Sequence, residues 1–510
     1  MHTSLRLLVC AALATALPAQ IGLSVTGGSL GSNIETRLGP YNPFTPALIV
    51  LSTNSGPTPL GILDPRDPRQ LRVGVESLGV SFSGFIAIDS FLTGVPLLVP
   101  NQPWFVNQSL FFQGLTLDGT VGFNWLIGEV SEPRGVWFAP GGAFRNRFTQ
   151  VAQPRSFFGD ALALPDGLWM AAAGGAGALL AQAALDTTEI YDPMTDSFFA
   201  GPRLVRPRSV HTTTRLNDGS YLFVAGVDAN NDPQDTSEIL DPVLLTFRAV
   251  TGVMNAKRMG HTATRLPNGR VLVTGGLSDL NGTGIDPINS ALASTEIYNP
   301  ATDTWTAGPN MSRPRAGHLA TVLPNGKILF AGGVGYTTFL GIKIPQIWTQ
   351  TELYDPATGT FANGPAMATP RAIYSVADLG GGRFLLAAGV SSLLGLGAPT
   401  TACEIYDANS NTFSAAGSMA AARGMSAVFA LGSGRFLHIG GADGTLTNPN
   451  ALASTEIYDM ATNAFTAGPP LGSSRAAFGT FVAPTGQLHL ISGGTGMNAA
   501  STPTTEWYYR

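Results

Sequence analysis

The chain has 510 residues, enough for two to four ordinary domains, with 44% apolar residues and only 12% charged ones, about half the usual ~25%. Net charge is −5, lysine occurs only at Lys257, Lys327 and Lys343, and there is no basic run, so no nucleic-acid partner is expected. With 62 Gly and 36 Pro spread through an apolar sequence, the expectation is many short strands joined by tight turns, and not a helical bundle.

In chain order, the first element reads as an export signal. His2 and Arg6 precede the apolar run 7–13, and the small residues Ala14, Ala16 and Ala19 suit cleavage after Ala16 or Ala19, so residues 1–19 are expected to be removed. No later run of about 18 apolar residues occurs, and no membrane span is expected. Cleavage would take Cys10 with it and leave Cys403 as the remaining cysteine. An exported chain without an internal disulfide fits a bacterial extracytoplasmic protein, extracellular or periplasmic.

Residues 20–142 carry short apolar stretches, such as 47–51, 97–99 and 110–112, separated by Gly, Pro and Asn. A small antiparallel β-sandwich is expected there. Trp104, Trp125 and Trp137 are read as core aromatics in preference to a sugar-stacking platform.

From about residue 143 to 510 the sequence repeats. The phrase Thr188-Glu189-Ile190-Tyr191-Asp192-Pro193 returns around Glu238, Glu296, Glu352, Glu404, Glu456 and Glu506, at spacings of 49 to 58 residues. An arginine opens each unit: Arg155, Arg208, Arg258, Arg315, Arg371, Arg423 and Arg475. Turn signals such as Asn217-Asp218-Gly219 and Pro324-Asn325-Gly326 follow, supplying the positive φ that tight hairpins need. An apolar strand then ends in a small pair: Gly174-Gly175, Ala225-Gly226, Gly275-Gly276, Gly332-Gly333, Ala388-Gly389, Gly440-Gly441 and Gly493-Gly494. After the Glu phrase comes an aromatic, Phe198, Phe247, Trp305, Phe361, Phe413 or Phe465. Each unit therefore reads as four strands. A lone four-stranded sheet cannot bury both faces, and radial stacking of seven such units gives a β-propeller.

The small pair, the Glu-x-Tyr-Asp-Pro phrase and the following aromatic resemble the kelch repeat, whose period is ~50. The expected fold is all-β, a seven-bladed kelch-like propeller over residues 143–510 behind the small sandwich. The last unit shows three strands after Arg475, while Arg147-Phe148-Thr149-Gln150 has a fourth-strand pattern. A strand near 147–151 is expected to complete the last blade and remove the free edge.

The repeated Arg and Glu are expected to pair as part of the fold. A ring of guanidinium groups, with Arg208, Arg258 and Arg315 among them, is the alternative, since planar Arg forks suit carboxylates. His211, His261 and His318 each follow a repeat Arg by three residues. Three imidazoles could hold a metal, but the repeat favours packing, and neither metal nor cofactor is expected. Loops that break the repeat (227–236, 277–294, 334–350, 390–402 and 442–454) are expected on one face, where a scaffold places variable sites. Asp228, Asp279, Tyr336, Trp348 and Asp443 are the candidate ligand contacts there. The segment Asp228–Asp232 has alternating oxygens, but Pro233 and Ile239 stand where a calcium loop needs Gly and Glu, so a polar turn is expected.

The function expected is recognition without catalysis, by a monomer, of a glycan or extracellular protein through that loop face. Two carbohydrate-active alternatives come from resemblance. Copper-radical oxidases similar to galactose oxidase share the architecture and need a Cys–Tyr crosslink, a second Tyr and two His; here no Tyr-His dipeptide occurs and Cys403 sits within a Glu phrase. Kelch-type sialic acid epimerases use Arg and Glu in the central funnel, which the repeat here already employs.

Overall fold

The computed structural model describes residues 142–509, apart from 179–180, 194, 394–396, 446–447, 484–485 and 497–500, and, before them, the backbone of ten strands between Gly22 and Trp137. The early strands form a three-stranded and a five-stranded antiparallel sheet and a two-stranded ribbon. The expected signal segment and the side chains of Trp104, Trp125 and Trp137 lie outside the described residues. No described helix is long and apolar enough to cross a membrane.

Seven four-stranded antiparallel sheets follow, one per repeat, as the blades of a propeller. In the third blade the strands are Thr262–Arg265, Val271–Thr274, Thr295–Asn299 and Thr304–Ala307. The second strand is buried at every position, and the fourth is largely exposed. A continuous Val-Leu-Val run suits a strand covered on both faces. Between blades two and three, Leu222, Val224, Val250, Met254, Val271 and Tyr298 share one core. In the last blade the fourth strand is Ala143–Gln150, paired antiparallel with Thr504–Tyr509, so both ends of the repeat region meet in one sheet.

The aromatic mark has a cross-strand role. Tyr191, Tyr298, Tyr354, Tyr406 and Tyr458 face Phe198, Trp305, Phe361, Phe413 and Phe465 in register, with ring centroids 4.9 to 5.2 Å apart. Such pairs stabilise a sheet by about 0.2–1 kcal/mol each. Four of these tyrosines also donate to the turn that joins the two strands, to Asp196, Asp303, Asn411 and Asn463. Those turn residues have positive φ of 49° to 55°, a conformation Asn and Asp tolerate better than most.

Each repeat Arg is fully enclosed and pairs with the Glu of its own blade, Nη2 to Oε1, at 2.5 to 2.9 Å. Its Nη1 donates to the carbonyl of the first small-pair residue at 2.7 to 3.0 Å. The Glu carboxylates in turn accept backbone N–H groups from the loop that arrives from the previous blade, as Glu296 does from Asn255 and Ala256. The pair thus ties second strand, third strand and arriving loop together.

The small pair joins one blade to the next. Gly174, Gly226, Gly276, Gly333, Gly389, Gly441 and Gly493 donate their N–H to the carbonyls of Arg208, Arg258, Arg315, Arg371, Arg423, Arg475 and Arg155, at 2.8 to 3.0 Å. The circle closes with Gly493 to Arg155. In the first and last blades the pair is therefore Ala173-Gly174 and Ser492-Gly493, one residue earlier than the sequence suggested; both members have positive φ, from 53° to 116°. Two adjacent glycines at each site made the frame ambiguous, and the inter-blade hydrogen bond decides it. A Cβ on Gly275 would lie 2.2 Å from the carbonyl oxygen of Arg315, so that blade cannot carry a larger residue there.

Arg258→Met would strand the Glu296 carboxylate in the interior, and the expected loss of unfolding stability is about 3–5 kcal/mol. Adding Glu296→Gln should recover part of it, read from urea unfolding midpoints; equal losses would show that hydrogen bonding and not charge holds the blade. A chain begun at residue 151 should form concentration-dependent oligomers by light scattering, whereas one begun at 143 stays monomeric.

Candidate functional site

Two residues after each repeat Arg the chain turns at the centre of the ring. Phe157, Val210, Gly260, Gly317, Ile373, Met425 and Ala477 all have positive φ, between 50° and 61°. For β-branched Val210 and Ile373 this is an outlying conformation, costing on the order of 1–3 kcal/mol. What holds it is a belt of main-chain hydrogen bonds: Val210 to Phe157, Phe157 to Ala477, Ala477 to Met425, Met425 to Ile373, Ile373 to Gly317 and Gly317 to Gly260, at 2.8 to 3.2 Å. Between Val210 and Gly260 the blades are linked through side chains, Thr212 Oγ1 and His261 Nε2 at 2.8 Å.

The belt divides the central tunnel. On the side of the variable loops lies a cup of about 540 Å³, lined by Met259, Leu277, Leu280, Ile285, Ile288, Val334 and His318. On the other side lies a chamber of about 620 Å³ with His211, His261, Ser375, Ser426, Asp160 and Thr480. Phe157, Val210, Gly260, Ile373 and Met425 line both and form the partition. The loop of the third blade, with its short 3-10 helix Asp286–Ser290, walls the cup. In the first, fourth and sixth blades the same connection rises as a hairpin, Gly175–Ala178 with Ala181–Ala184, Val334–Phe339 with Ile342–Ile347, and Ala442–Thr445 with Asn448–Ala451.

The candidate contacts chosen from sequence occupy separate places. Tyr336 and Trp348 meet in a small cavity of about 360 Å³ at the base of the fourth-blade hairpin. Lys343 Nζ sits 4.2 Å from the Tyr336 ring centroid, and the Trp348 indole is buried, donating to Pro314 O at 2.7 Å under the Arg313 guanidinium. Asp228 accepts from Asn230 and Asp232 N–H, Asp279 from Asn281, and Asp443 from Asn450, so each of these carboxylates braces its own loop. Arg208, Arg258 and Arg315 are 0% exposed within their blades, and among the described residues no arginine lines the cup or the chamber. A guanidinium funnel of the epimerase kind is therefore not formed by them.

The histidines are packed into the ring. His261 is joined to Thr212, and His318 to Thr262 and Thr274, through Nε2, while His211 stacks on Phe223 with both ring nitrogens enclosed and unpartnered. Among the described residues no three His, Cys, Asp or Glu side chains form a metal-holding group. Cys403 is buried in a third strand, with its Sγ–H directed to Thr401 O. These residues do not fit the copper site of a radical oxidase. Sequence inspection missed the belt because its seven positions share a backbone conformation and no residue type.

Burial holds His211 and His438 near a pKa of about 3, and His261 and His318 well below the ordinary value, with nearby arginines adding to the shift. These rings are neutral when folded and charge on unfolding, so their contribution is complete above about pH 6.5 and is lost as pH falls below it. Urea midpoints should drop between pH 6.5 and 4.5, and His211→Phe should remove about one proton from the uptake on unfolding; an unchanged slope would mean the ring already charges in the fold.

Comparison with known proteins agrees with this geometry. The family described as Kelch motif matches residues 260–312. Over 324 residues the chain is 27% identical to Kelch-like protein terF of Aspergillus terreus, covering 59% of this chain and 64% of that protein. It is 29% identical over 165 residues to human Kelch-like protein 15, covering 29% of this chain and 26% of that one. The chain thus spans less than two thirds of either relative. A solved fungal alcohol oxidase of the AA5 family, in complex with copper, superposes with a TM-score of 0.55 at 16% identity, over 72% of this chain and 76% of that one, a likeness of fold. Taken together, the chain carries a Kelch motif, is similar to kelch-like proteins and folds as a seven-bladed β-propeller.

Proposed function

We propose that this is an exported recognition protein that binds a protein partner, without catalysis, on the face bearing the variable loops. The observation that carries this reading is the tip of the fourth-blade hairpin. Phe339, Leu340, Ile342 and Ile344 are 46% to 86% exposed there. Apolar side chains standing together in water on a loop are a mark of an interaction site, and the buried core of a protein interface is more apolar than the surface around it. The repeated charges offer nothing comparable, being used inside the blades. A glycan would call for a dense set of polar donors and acceptors, and the hairpin tip lacks one. Export is supported by the apolar stretch 7–13 and the small residues after it.

Crosslinked capture from the native envelope should retain one protein in stoichiometric amount with the wild type. Leu340→Asp with Ile342→Asp should lose it at an unchanged melting temperature. A glycan-array signal that survives the double substitution, with no protein retained, would replace the partner reading with a lectin-like one. Stoichiometric copper uptake in the same sample would favour the oxidase alternative over recognition.

A further inference from the structure

We infer that the cup at the loop-side mouth of the tunnel is a binding site for a small uncharged lipophile carrying one hydrogen-bonding oxygen. This goes beyond the rim proposed for the protein partner and uses different residues. At about 540 Å³ the cup falls within the range of small-molecule sites, which are mostly apolar with a few placed polar groups. Met259, Leu277, Leu280, Ile288 and Ile373 supply the wall, and among its described lining residues there is no Lys, Arg, Asp or Glu. A charged ligand would find no counter-charge, whereas an aliphatic or polycyclic body would lose only apolar surface to water.

The polar side chains of the lining are those of Ser209, Asn231, Tyr374 and His318, the last of them 6% exposed. Its Nε2 lies 3.1 Å from Thr262 Oγ1 and 3.0 Å from Thr274 Oγ1, and the two hydroxyls are 2.7 Å from each other. In this triangle Nε2 either donates to one hydroxyl or accepts from it, and in the neutral ring Nδ1 takes the opposite role. That Nδ1 is enclosed and has no partner. A buried polar atom without a partner calls for one, and a hydroxyl on the occupant of the cup, able to donate or to accept, would provide it on a small turn of the ring. The protein itself shows that the position tolerates an apolar ring, since Phe158 and Phe478 stand at the equivalent point of other blades.

The probe is N-phenyl-1-naphthylamine, an uncharged fluorophore, titrated with the full-length protein and displaced by 1-dodecanol or by n-dodecane. Expected results are saturable one-site binding, displacement by the alcohol at tenfold or more lower concentration than the alkane, and loss of that preference in His318→Phe with probe binding kept. Leu280→Trp should fill the cup and abolish binding at an unchanged melting temperature. Leu340→Asp with Ile342→Asp should leave probe binding intact, which separates the cup from the rim. No saturable binding by the wild type, or binding untouched by Leu280→Trp, would overturn the site. An alcohol preference that persists in His318→Phe would overturn the role given to the imidazole.

Discussion

A guanidinium–carboxylate pair sealed inside each blade is the interaction on which the ring depends. Each blade is a thin sheet with little core of its own, and the Arg is the atom set through which second strand, third strand and arriving loop are fastened. Its backbone carbonyl then takes the glycine N–H of the preceding blade. One residue therefore serves both the inside of a blade and its junction. Buried ion pairs often contribute little net stability against an apolar replacement. Here the pair's value lies in direction, because a planar fork with fixed donors admits one arrangement of the surrounding carbonyls.

The small pair follows from the same constraint. The glycine N–H can reach the next Arg carbonyl only if two successive residues turn with positive φ, and space beside that carbonyl is short enough to exclude a Cβ at Gly275 and Gly332. Blades with Ala173, Ala225, Ala388 or Ser492 at the first position hold a small Cβ in the same turn. Closure of the circle then adds the Ala143–Gln150 strand to the final sheet, so the last blade is built from chain segments more than 350 residues apart.

How much of this was legible follows from what repeats. Charges, turns and aromatics recur at matched positions, so the blade count, the Arg–Glu pairing and the fourth strand supplied by Arg147–Gln150 could all be read from residue type. The cup could not. Its floor is made where Phe, Val, Gly, Ile, Met and Ala alternate without pattern, and its walls come from loops of unequal length, so only the folded backbone brings Met259, Leu277 and Ile373 together. Asp228, Asp279 and Asp443 looked available because sequence does not show that a carboxylate is spent on the N–H groups of its own turn. His318 looked like a repeat feature, and only its place in the lining of the cup, apart from His211 and His261 in the chamber, distinguishes it.

The belt of left-handed residues also bears on how such a protein can change over time. Its diameter is set by main-chain hydrogen bonds and the number of blades, while the plug is set by whatever side chains happen to project from it. Exchanging Phe157 or Met425 for a small residue would alter the bore without touching the hoop that encloses it. Passage between the two halves of the tunnel is thus adjustable by single substitutions at positions that carry no structural charge, and a lineage can open or close it while the propeller stays the same.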